Sequence, residues 1–271
     1  MRWPAEAIWE AVYPQLPTFT VEVVPSIDST NSELMRRARA GQGEPVLLVA
    51  ENQTAGRGRM DRPWRNSVGA SLMFSLGLPL APKDWSGLSL AVGVAVAESL
   101  QAQIPAPDAP QPKRVGLKWP NDLWTDGDHK LGGILVETAN LPQPGSARFV
   151  VVGVGINIQA PQSDGLSTPP VGLQDLVPGL DAPAALARIA APLVSTLLAF
   201  EQHGFAPLRS RFARRDILLG REVLLSDGTA GTAEGVGDDG VLLVRSATGL
   251  QAIHSNEVSV RPTRAAPPTE G

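Results

Sequence analysis

The pattern of apolar and polar positions along the chain predicts helices and strands that alternate, followed by a run of short hairpins. Apolar residues at helical spacing indicate a first helix from Thr30, with Glu33 at the spacing of a capping box and Gly41 after the last turn. Ser86 is placed to cap a second helix over 88–102. Two more helices are expected, over 181–202 with a bend or break at Pro192, and over 205–215.

Strands are indicated where apolar residues alternate with polar ones or form short continuous runs. The clearest alternation covers 69–78, where Leu and Phe side chains face one way and Ser71, Met73 and Ser75 face the other. The strands predicted for this part of the chain are 46–50, 69–78, 115–118, 131–138 and 148–158.

The pattern changes after Gly220, where four short β-type runs, over 222–225, 230–236, 241–245 and 251–254, follow one another closely. The turns between them contain Asp-Gly and Thr-Gly pairs, which are typical of hairpins. So many hairpins in a short segment indicate a small barrel. We therefore predict a main domain over 1–217, a small β-barrel domain over 218–262 and a flexible tail over 263–271.

Composition excludes some classes of protein but does not identify the function. The 271 residues are 43% hydrophobic and carry a net charge of −4, so no global basic field attracts nucleic acid. The absence of cysteine excludes disulfides, thiolate metal sites and a cysteine nucleophile. The N-terminus lacks the pattern of a signal peptide, and apolar stretches such as 88–100 are too short to span a membrane, so we expect a cytoplasmic protein.

The segment Gly56-Arg57-Gly58-Arg59 is a candidate anion-binding loop. The planar guanidinium of arginine matches phosphate and carboxylate groups, and glycine lets backbone amides approach an anion closely. Trp64, which follows among further arginines, offers an aromatic plane that can stack on a base. Taken alone, the segment is equally typical of a solvated basic loop or an RNA-binding tail.

Two lysines are candidates for a phosphoryl or acyl-phosphate centre. Lys118 begins the segment Lys-Trp-Pro-Asn-Asp at the end of a predicted strand, and its Asp122 could hold Mg²⁺. Lys130 precedes paired glycines in an apolar strand, where glycine often marks the close approach of a ligand. The alternatives are a strand-ending turn for the first segment and a surface lysine for the second.

A third glycine-containing strand, Gly153-Val154-Gly155-Ile156-Asn157, superficially resembles a dinucleotide-binding fingerprint. It lacks the third glycine and the helix that should follow, which argues against a dinucleotide site. Its polar Asn157 nevertheless follows the glycines of this strand.

The order and types of these segments resemble the biotin protein ligase family over roughly residues 24 to 261. Five motifs carry the resemblance: Asp28-Ser29-Thr30-Asn31, Gln53 with Gly56–Arg59 and Trp64, Lys118–Asp122, Lys130–Ile134, and Gly155-Ile156-Asn157. The resemblance implies an α/β or α+β catalytic domain of the class II synthetase type, with a mixed sheet flanked by helices, followed by an SH3-like barrel. It also implies that the chain activates biotin with ATP and Mg²⁺ and transfers it to a lysine of the biotin carboxyl carrier protein, a subunit of acetyl-CoA carboxylase.

The resemblance also implies site residues. Those expected to bind biotin are Ser29, Thr30, Asn31, Gln53, Arg57, Gly58, Arg59 and Lys130. Those expected on the nucleotide side are Trp64, which would cover the adenine, and Lys118, Asn121, Asn157 and Arg261. Catalysis would fall to Lys130, Lys118, Arg57 and Arg59, with Asp122 as the Mg²⁺ ligand.

Two features depart from the family pattern. Asp61 stands where the family often has glycine, which places an acid in a loop expected to hold anions. Only 27 residues precede Asp28, too few for the winged-helix DNA-binding domain of the bifunctional members. We therefore expect the ligase-only form, with no nucleic-acid partner and no membrane partner.

Alternative functions remain at this point. A lipoate- or octanoate-transferring enzyme would share the fold and the lysine near a glycine-rich strand. A protein without catalysis, either a biotin sensor or a basic-loop nucleic-acid binder, belongs to another class. The sequence leaves the oligomeric state open, with a homodimer as one option.

Overall fold

The computed structural model of the chain describes residues 1–104, 114–141, 147–163, 168–254 and 260–262. Its helices are α1 (Ala5–Val12), α2 (Thr30–Arg39), α3 (Leu88–Leu100), α4 (Ala182–His203) and α5 (Arg209–Ala213). The strands of the first sheet are β1 (Thr20–Val24), β2 (Val46–Ala50), β3 (Ser71–Leu80), β4 (Gly116–Lys118), β5 (Asp122–Trp124), β6 (Lys130–Asn140) and β7 (Arg148–Asn157). Those of the second are β8 (Glu222–Leu225), β9 (Ala230–Val236), β10 (Leu242–Ser246), β11 (Gly249–Ile253) and β12 (Val260–Pro262).

The first sheet has seven strands in the order β1-β2-β3-β7-β6-β5-β4. β1 and β2 run parallel, and the remaining neighbours are antiparallel, so the sheet is mixed. The second sheet is antiparallel, in the order β11-β10-β9-β8-β12. The predicted architecture of a mixed sheet flanked by helices, with a small β unit after it, is confirmed.

Helices cover both faces of the large sheet. α3 packs on α4 and, with α1, buries one face. On the other face, Leu34, Met35 and Ala38 of α2 lie against apolar residues of β2, β6 and β7. Both faces of β3 are therefore buried, and the polar Ser71 and Ser75 predicted on its second face lie inside the protein.

The N-termini of two helices differ from the predictions. The N-cap of α2 is Ser29, whose hydroxyl accepts the Ser32 N–H, so the capping box of Thr30 and Glu33 is wrong. Glu33 instead pairs with arginines of its own helix. Gly87, with φ of 78°, replaces Ser86 as the N-cap of α3, because the Phe205 ring leaves no room there for a side chain.

α4 continues through Pro192 without the predicted interruption. It is also 22 residues long and contains an 18-residue window with a mean hydropathy of 1.6, which is enough to cross a membrane by length and composition. The expectation that no apolar stretch is long enough is therefore wrong for this helix. Its buried side chains, such as Leu186, Leu193 and Leu197, belong to the main core, and the core helix of a soluble protein passes the same test.

The second sheet contacts the first through side chains near β4. The Trp119 indole donates to the Gly240 carbonyl at 3.0 Å, and Arg221 pairs with Asp128 at 2.7 Å. The tail predicted over 263–271 lies outside the described residues, as does the proline-rich segment 105–112.

Candidate active site

Three glycines form the floor of a cleft on the α2 face of the sheet. Gly133 of β6 pairs in register with Gly155 of β7, and Gly153 lies two residues earlier. A Cβ at Gly155 would lie 2.6 Å from the Trp64 ring, and one at Gly153 would lie 2.0 Å from Asn31 Oδ1. Side chains therefore rest directly on the backbone here, as the glycines in these strands predict.

Trp64 closes the middle of this cleft. Its indole lies on Gly155 and reaches Gly133, and its buried Nε1 has no hydrogen-bond partner among the described residues. A buried donor without a partner is uncommon, so this one is available to an acceptor on a ligand. The part of a ligand that Trp64 would cover, predicted to be the adenine, stays a prediction.

One end of the cleft is neutral and polar. Gln53 Oε1 accepts the Thr30 N–H at 2.7 Å and lies 3.1 Å from Thr30 Oγ1. Ser75, which sequence reasoning missed, places its hydroxyl 2.6 Å from Asn31 Oδ1. The structure thus brings Ser29, Thr30, Asn31 and Gln53 together, and the first three are buried.

The other end is cationic. Lys118 is 8% exposed, with its Nζ 4.9 Å from the centre of the Trp124 ring. Lys130 Nζ lies 2.7 Å from Asp122 Oδ1. Arg59 reaches this end as well, since it donates to Asn121 Oδ1 at 3.4 Å.

Electrostatics show how closely these cations gather. Burial lowers the pKa of Lys118, the nearby carboxylate of Asp122 opposes that change, and Lys130, Arg261 and Arg59 add to it. Arg261 of β12 is therefore within electrostatic range of Lys118, and its expected place on the nucleotide side stays a prediction. A buried lysine with further cations around it, opposed by Asp122, is suited to bind polyanions such as phosphates.

Asn157 and Asn121, both predicted site residues, hold the backbone at the cationic end of the cleft. The Asn157 amide is buried and donates to the Lys130 and Val171 carbonyls, both at 3.3 Å, so it fixes the backbone that carries Lys130. The Asn121 amide donates to the Ile134 carbonyl at 2.7 Å and in the same way ties the Lys118 segment to β6.

The described residues contain no group of three or more His, Asp or Glu side chains that could hold a metal ion. Asp122, the predicted Mg²⁺ ligand, is engaged by Lys130. One carboxylate suits a Mg²⁺ ion that is held mainly by water and the phosphates of a substrate, which is how proteins usually bind it.

Arg57 does not join the cationic end. Its guanidinium binds Glu137, Ser32 and Asp61, at distances of 3.1 to 3.2 Å. Only the side chain of Arg59 in the Gly56–Arg59 segment is directed to Asn121. The catalytic role expected of Arg57 stays a prediction, and Glu137 is a residue that sequence reasoning missed.

Comparisons with known proteins agree with this geometry. The model of the Biotin/lipoate A/B protein ligase family matches residues 23–157, and that of the Biotin protein ligase C terminal domain matches residues 218–261. The chain is 34% identical to the bifunctional ligase/repressor BirA of Salmonella typhimurium over 262 residues, which cover 93% of this chain and 78% of that protein.

Two further proteins extend the likeness. The biotin–[acetyl-CoA-carboxylase] ligase of Paracoccus denitrificans is 33% identical over 239 residues, which cover 85% of this chain and 96% of that protein. The structure of the biotin protein ligase from Aquifex aeolicus in complex with biotin and ATP superposes with a TM-score of 0.72 at 26% identity, covering 90% of this chain and 99% of that one. The chain therefore belongs to the biotin protein ligase family.

Proposed function

We propose that this protein activates biotin with ATP to form biotinyl-5′-AMP and then transfers the biotin to a lysine of a biotin carboxyl carrier protein. The observation that carries the proposal is the polarity of the cleft. Its glycine floor separates a neutral hydrogen-bonding end at Thr30 and Gln53 from a cationic end at Lys118, Lys130 and Arg59. A ligand with an uncharged ring system and an anionic acyl-phosphate would match both ends.

In the first step the biotin carboxylate oxygen attacks the α-phosphorus of ATP. A new P–O bond forms while the bond to the β-phosphate oxygen breaks, and pyrophosphate leaves with that electron pair. Both reactants are anions, so the barrier contains their repulsion. Lys118 and Lys130 would offset it, and the burial of Lys118 strengthens its field because less water screens it.

In the second step the neutral amine of the carrier lysine attacks the carbonyl carbon of the mixed anhydride. The new C–N bond forms, the bond to the AMP oxygen breaks, and the amine loses its proton. Trp64 and the loop around it would keep water from the anhydride until the amine arrives.

The remaining predicted residues take supporting roles in this proposal. Ser29, Thr30, Asn31, Gln53 and the backbone at Gly58 would receive the biotin ring, while Asn121, Asn157 and Arg261 would frame the nucleotide side. Mg²⁺ would neutralise phosphate charge, held by the substrate phosphates with Asp122 as its protein ligand.

We propose the two domains with the boundaries predicted from the sequence. Residues 1–217 would form the catalytic domain and 218–262 a C-terminal domain that supplies Arg261. A cytoplasmic location, the acetyl-CoA carboxylase subunit as the carrier, no nucleic-acid partner, and a homodimer as one oligomeric option stay predictions. Sedimentation of the protein with and without ligands measures the oligomeric state.

The proposal is tested by mixing the protein with Mg-ATP, a carrier domain, and either biotin or lipoate. We expect pyrophosphate release and a mass gain on the carrier with biotin and not with lipoate. Pyrophosphate release without carrier modification, or a preference for lipoate, would overturn the assignment.

Lys130→Ala should abolish adenylate formation, because it removes a cation from the point where negative charge develops. We expect a loss of at least about 100-fold in pyrophosphate release, the usual cost of one such group. Circular dichroism should show an intact fold. The matched control is Lys83→Ala, which removes an exposed lysine and should leave the rate unchanged. Wild-type turnover in Lys130→Ala would contradict the role of this residue.

A further inference from the structure

We propose that Glu137 is a positioning residue that fastens the Gly56–Trp64 loop to the sheet and thereby keeps the adenylate bound. This inference rests on the proposed function, since it concerns how the intermediate is retained. Glu137 lies on β6, where it pairs in register with Val151, and its side chain is 25% exposed. No family motif identified in the sequence includes it.

Glu137 and its neighbours enclose the guanidinium of Arg57. Both carboxylate oxygens of Glu137 accept from Nη2 at 3.1 Å. Nε donates to Ser32 Oγ at 3.1 Å, and Nη1 donates to Asp61 at 3.2 Å. The planar fork of Arg57 is thus bound on three sides, by β6, by α2 and by its own loop.

The same carboxylate also holds the start of α2. Glu137 Oε2 accepts from Asn31 Nδ2 at 2.9 Å, and the other end of that amide rests on Gly153. One side chain therefore joins the neutral end of the cleft to the loop that covers its middle. Removing the charge of Glu137 would weaken its interaction with Arg57 but leave an acceptor for the Asn31 amide.

Fixing Arg57 also fixes Trp64, because the loop is folded back on itself. The Trp64 N–H donates to the Gly56 carbonyl at 2.8 Å, and the Gly58 N–H donates to the Arg62 carbonyl at 2.7 Å. Arg57 forms an isolated bridge with Pro63 in the same turn. A restraint on Arg57 is therefore passed through the two backbone hydrogen bonds of this bridge to the indole on Gly155.

Distance separates this restraint from the reacting end. The Lys130 ammonium lies 3.7 Å from where a Cβ at Gly133 would be, and Gly133 is four residues from Glu137 on β6, a span of roughly 13 Å at the rise of an extended strand. An arginine bound at Glu137 cannot also neutralise charge beside Lys130. The two arginines of the loop thus have different tasks, with Arg57 directed to the sheet and Arg59 to the cationic end.

The test compares wild type with Glu137→Gln, which keeps the shape and one acceptor but loses the charge. Adenylate is formed on the enzyme in a single turnover, and its release is followed after a chase with unlabelled biotin. We expect release to be faster by about tenfold or more, as for the loss of one member of a partly buried ion pair. The rate of adenylate formation should change less than about threefold, because Glu137 is remote from the reacting atoms.

Two controls make the result specific. Glu234→Gln removes the charge of a surface pair with Arg245 in the second sheet and should leave adenylate release unchanged. The variants Arg57→Gln, Glu137→Gln and their combination form a double-mutant cycle, and the combination should release adenylate no faster than either single change. Unchanged release in Glu137→Gln, or effects that add in the double variant, would overturn the proposal.

A second readout needs no ligand and separates this inference from the proposed function. Trypsin can cleave after Arg65, which is exposed and directly follows the Gly56–Trp64 loop. Glu137→Gln should be cut there faster than wild type, also by about tenfold, while Glu234→Gln is cut at the wild-type rate. Equal cleavage refutes the restraint even if biotin is activated, and faster cleavage supports it even if biotin is not.

Discussion

At the scale of single residues, the loop over the cleft owes its shape to an unusual pair of backbone angles. Met60 and Asp61 have φ values of 55° and 53°, in the left-handed region that favours glycine. Aspartate tolerates this region better than most residues do, and here its carboxylate also reaches Arg57. The acid that departs from the family pattern therefore occupies a position where glycine would fit the backbone equally well.

Asp61→Gly should consequently change the stability of the protein very little. The variant relieves the left-handed strain of a side chain, while it loses an ion pair whose carboxylate is 85% exposed and gains chain entropy in the unfolded state. These effects oppose each other, so we expect the free energy of unfolding in urea to change by less than about 1 kcal/mol. Asp61→Asn separates them, because it keeps the tolerance for positive φ and removes only the charge. A loss above about 2 kcal/mol in either variant would show that Asp61 has further structural partners.

At the scale of elements, the site is an arrangement of two neighbouring strands and one loop. β6 and β7 each carry glycine where they face the cleft, and the loop places Trp64 on them. The two facing positions are not equivalent. A Cβ at Gly155 would come within 2.6 Å of the indole, while one at Gly133 would meet its nearest neighbours at an ordinary 3.7 Å.

Gly155→Ala should therefore displace Trp64, and Gly133→Ala should leave it in place. Without ligand, we expect trypsin to cut the loop of Gly155→Ala several-fold faster than that of wild type, because the indole no longer anchors it. Gly133→Ala adds the same methyl group on the paired strand and is the matched control. Equal cleavage of the two variants would mean that the contact between Trp64 and Gly155 does not hold the loop in place.

The sequence predicted these elements to different degrees for physical reasons. The strands β2, β8 and β9 match their predicted bounds, because a buried or alternating run leaves a clear apolar pattern. α1, β1, β5 and β12 were missed. β1 is nowhere fully buried and β5 has only three residues, so neither shows a hydrophobic period.

The sequence indicated site residues that occur in short segments of several polar or glycine residues. It did not indicate a site residue that stands alone among apolar ones. Lys118–Asp122 and Lys130–Gly133 form short segments, and the fold does bring them together. Glu137 is a single acid in an apolar strand, and its role depends on Arg57, which is 80 positions away. Pairings at that separation are decided by packing, which local sequence does not specify.

At the scale of the whole molecule, the chain passes from the large sheet to the small one through a tightly buried segment. Arg215 and Asp216 are 2% and 4% exposed. The Leu117 N–H donates to the Arg215 carbonyl, and the Ile217 N–H donates to the Leu117 carbonyl, directly beside Lys118. The Arg215 side chain donates to the Val115 carbonyl. The connection between the sheets is thus built into the edge of the candidate site, on the strand that carries one of its lysines.

Asp216 makes this junction sensitive to pH. Burial raises the pKa of its carboxyl group from 3.8 to about 6, partly opposed by the backbone N–H groups of Leu218 and Leu219 and by the charge of Arg114. Its Oδ2 has no hydrogen-bond partner among the described residues. Because the pKa is higher in the folded protein than in the unfolded chain, the folded protein binds the proton more tightly between these two values. The contribution of Asp216 to stability is therefore complete below about pH 4 and is lost as the pH rises through about 6.

Asp216→Asn should remove this dependence, because it replaces a buried carboxylate by a neutral group of the same shape. Relative to wild type, its free energy of unfolding should rise between pH 4 and pH 7, by on the order of 2–3 kcal/mol if the whole difference in pKa is expressed. Urea unfolding at several pH values in this range measures the change, with Glu44→Gln as the control for an exposed carboxylate. Parallel pH profiles for wild type and Asp216→Asn would show that the junction carboxyl does not titrate in this range. A rising difference would mean that the folded protein, with its junction at Asp216, is more stable when this carboxyl group is protonated.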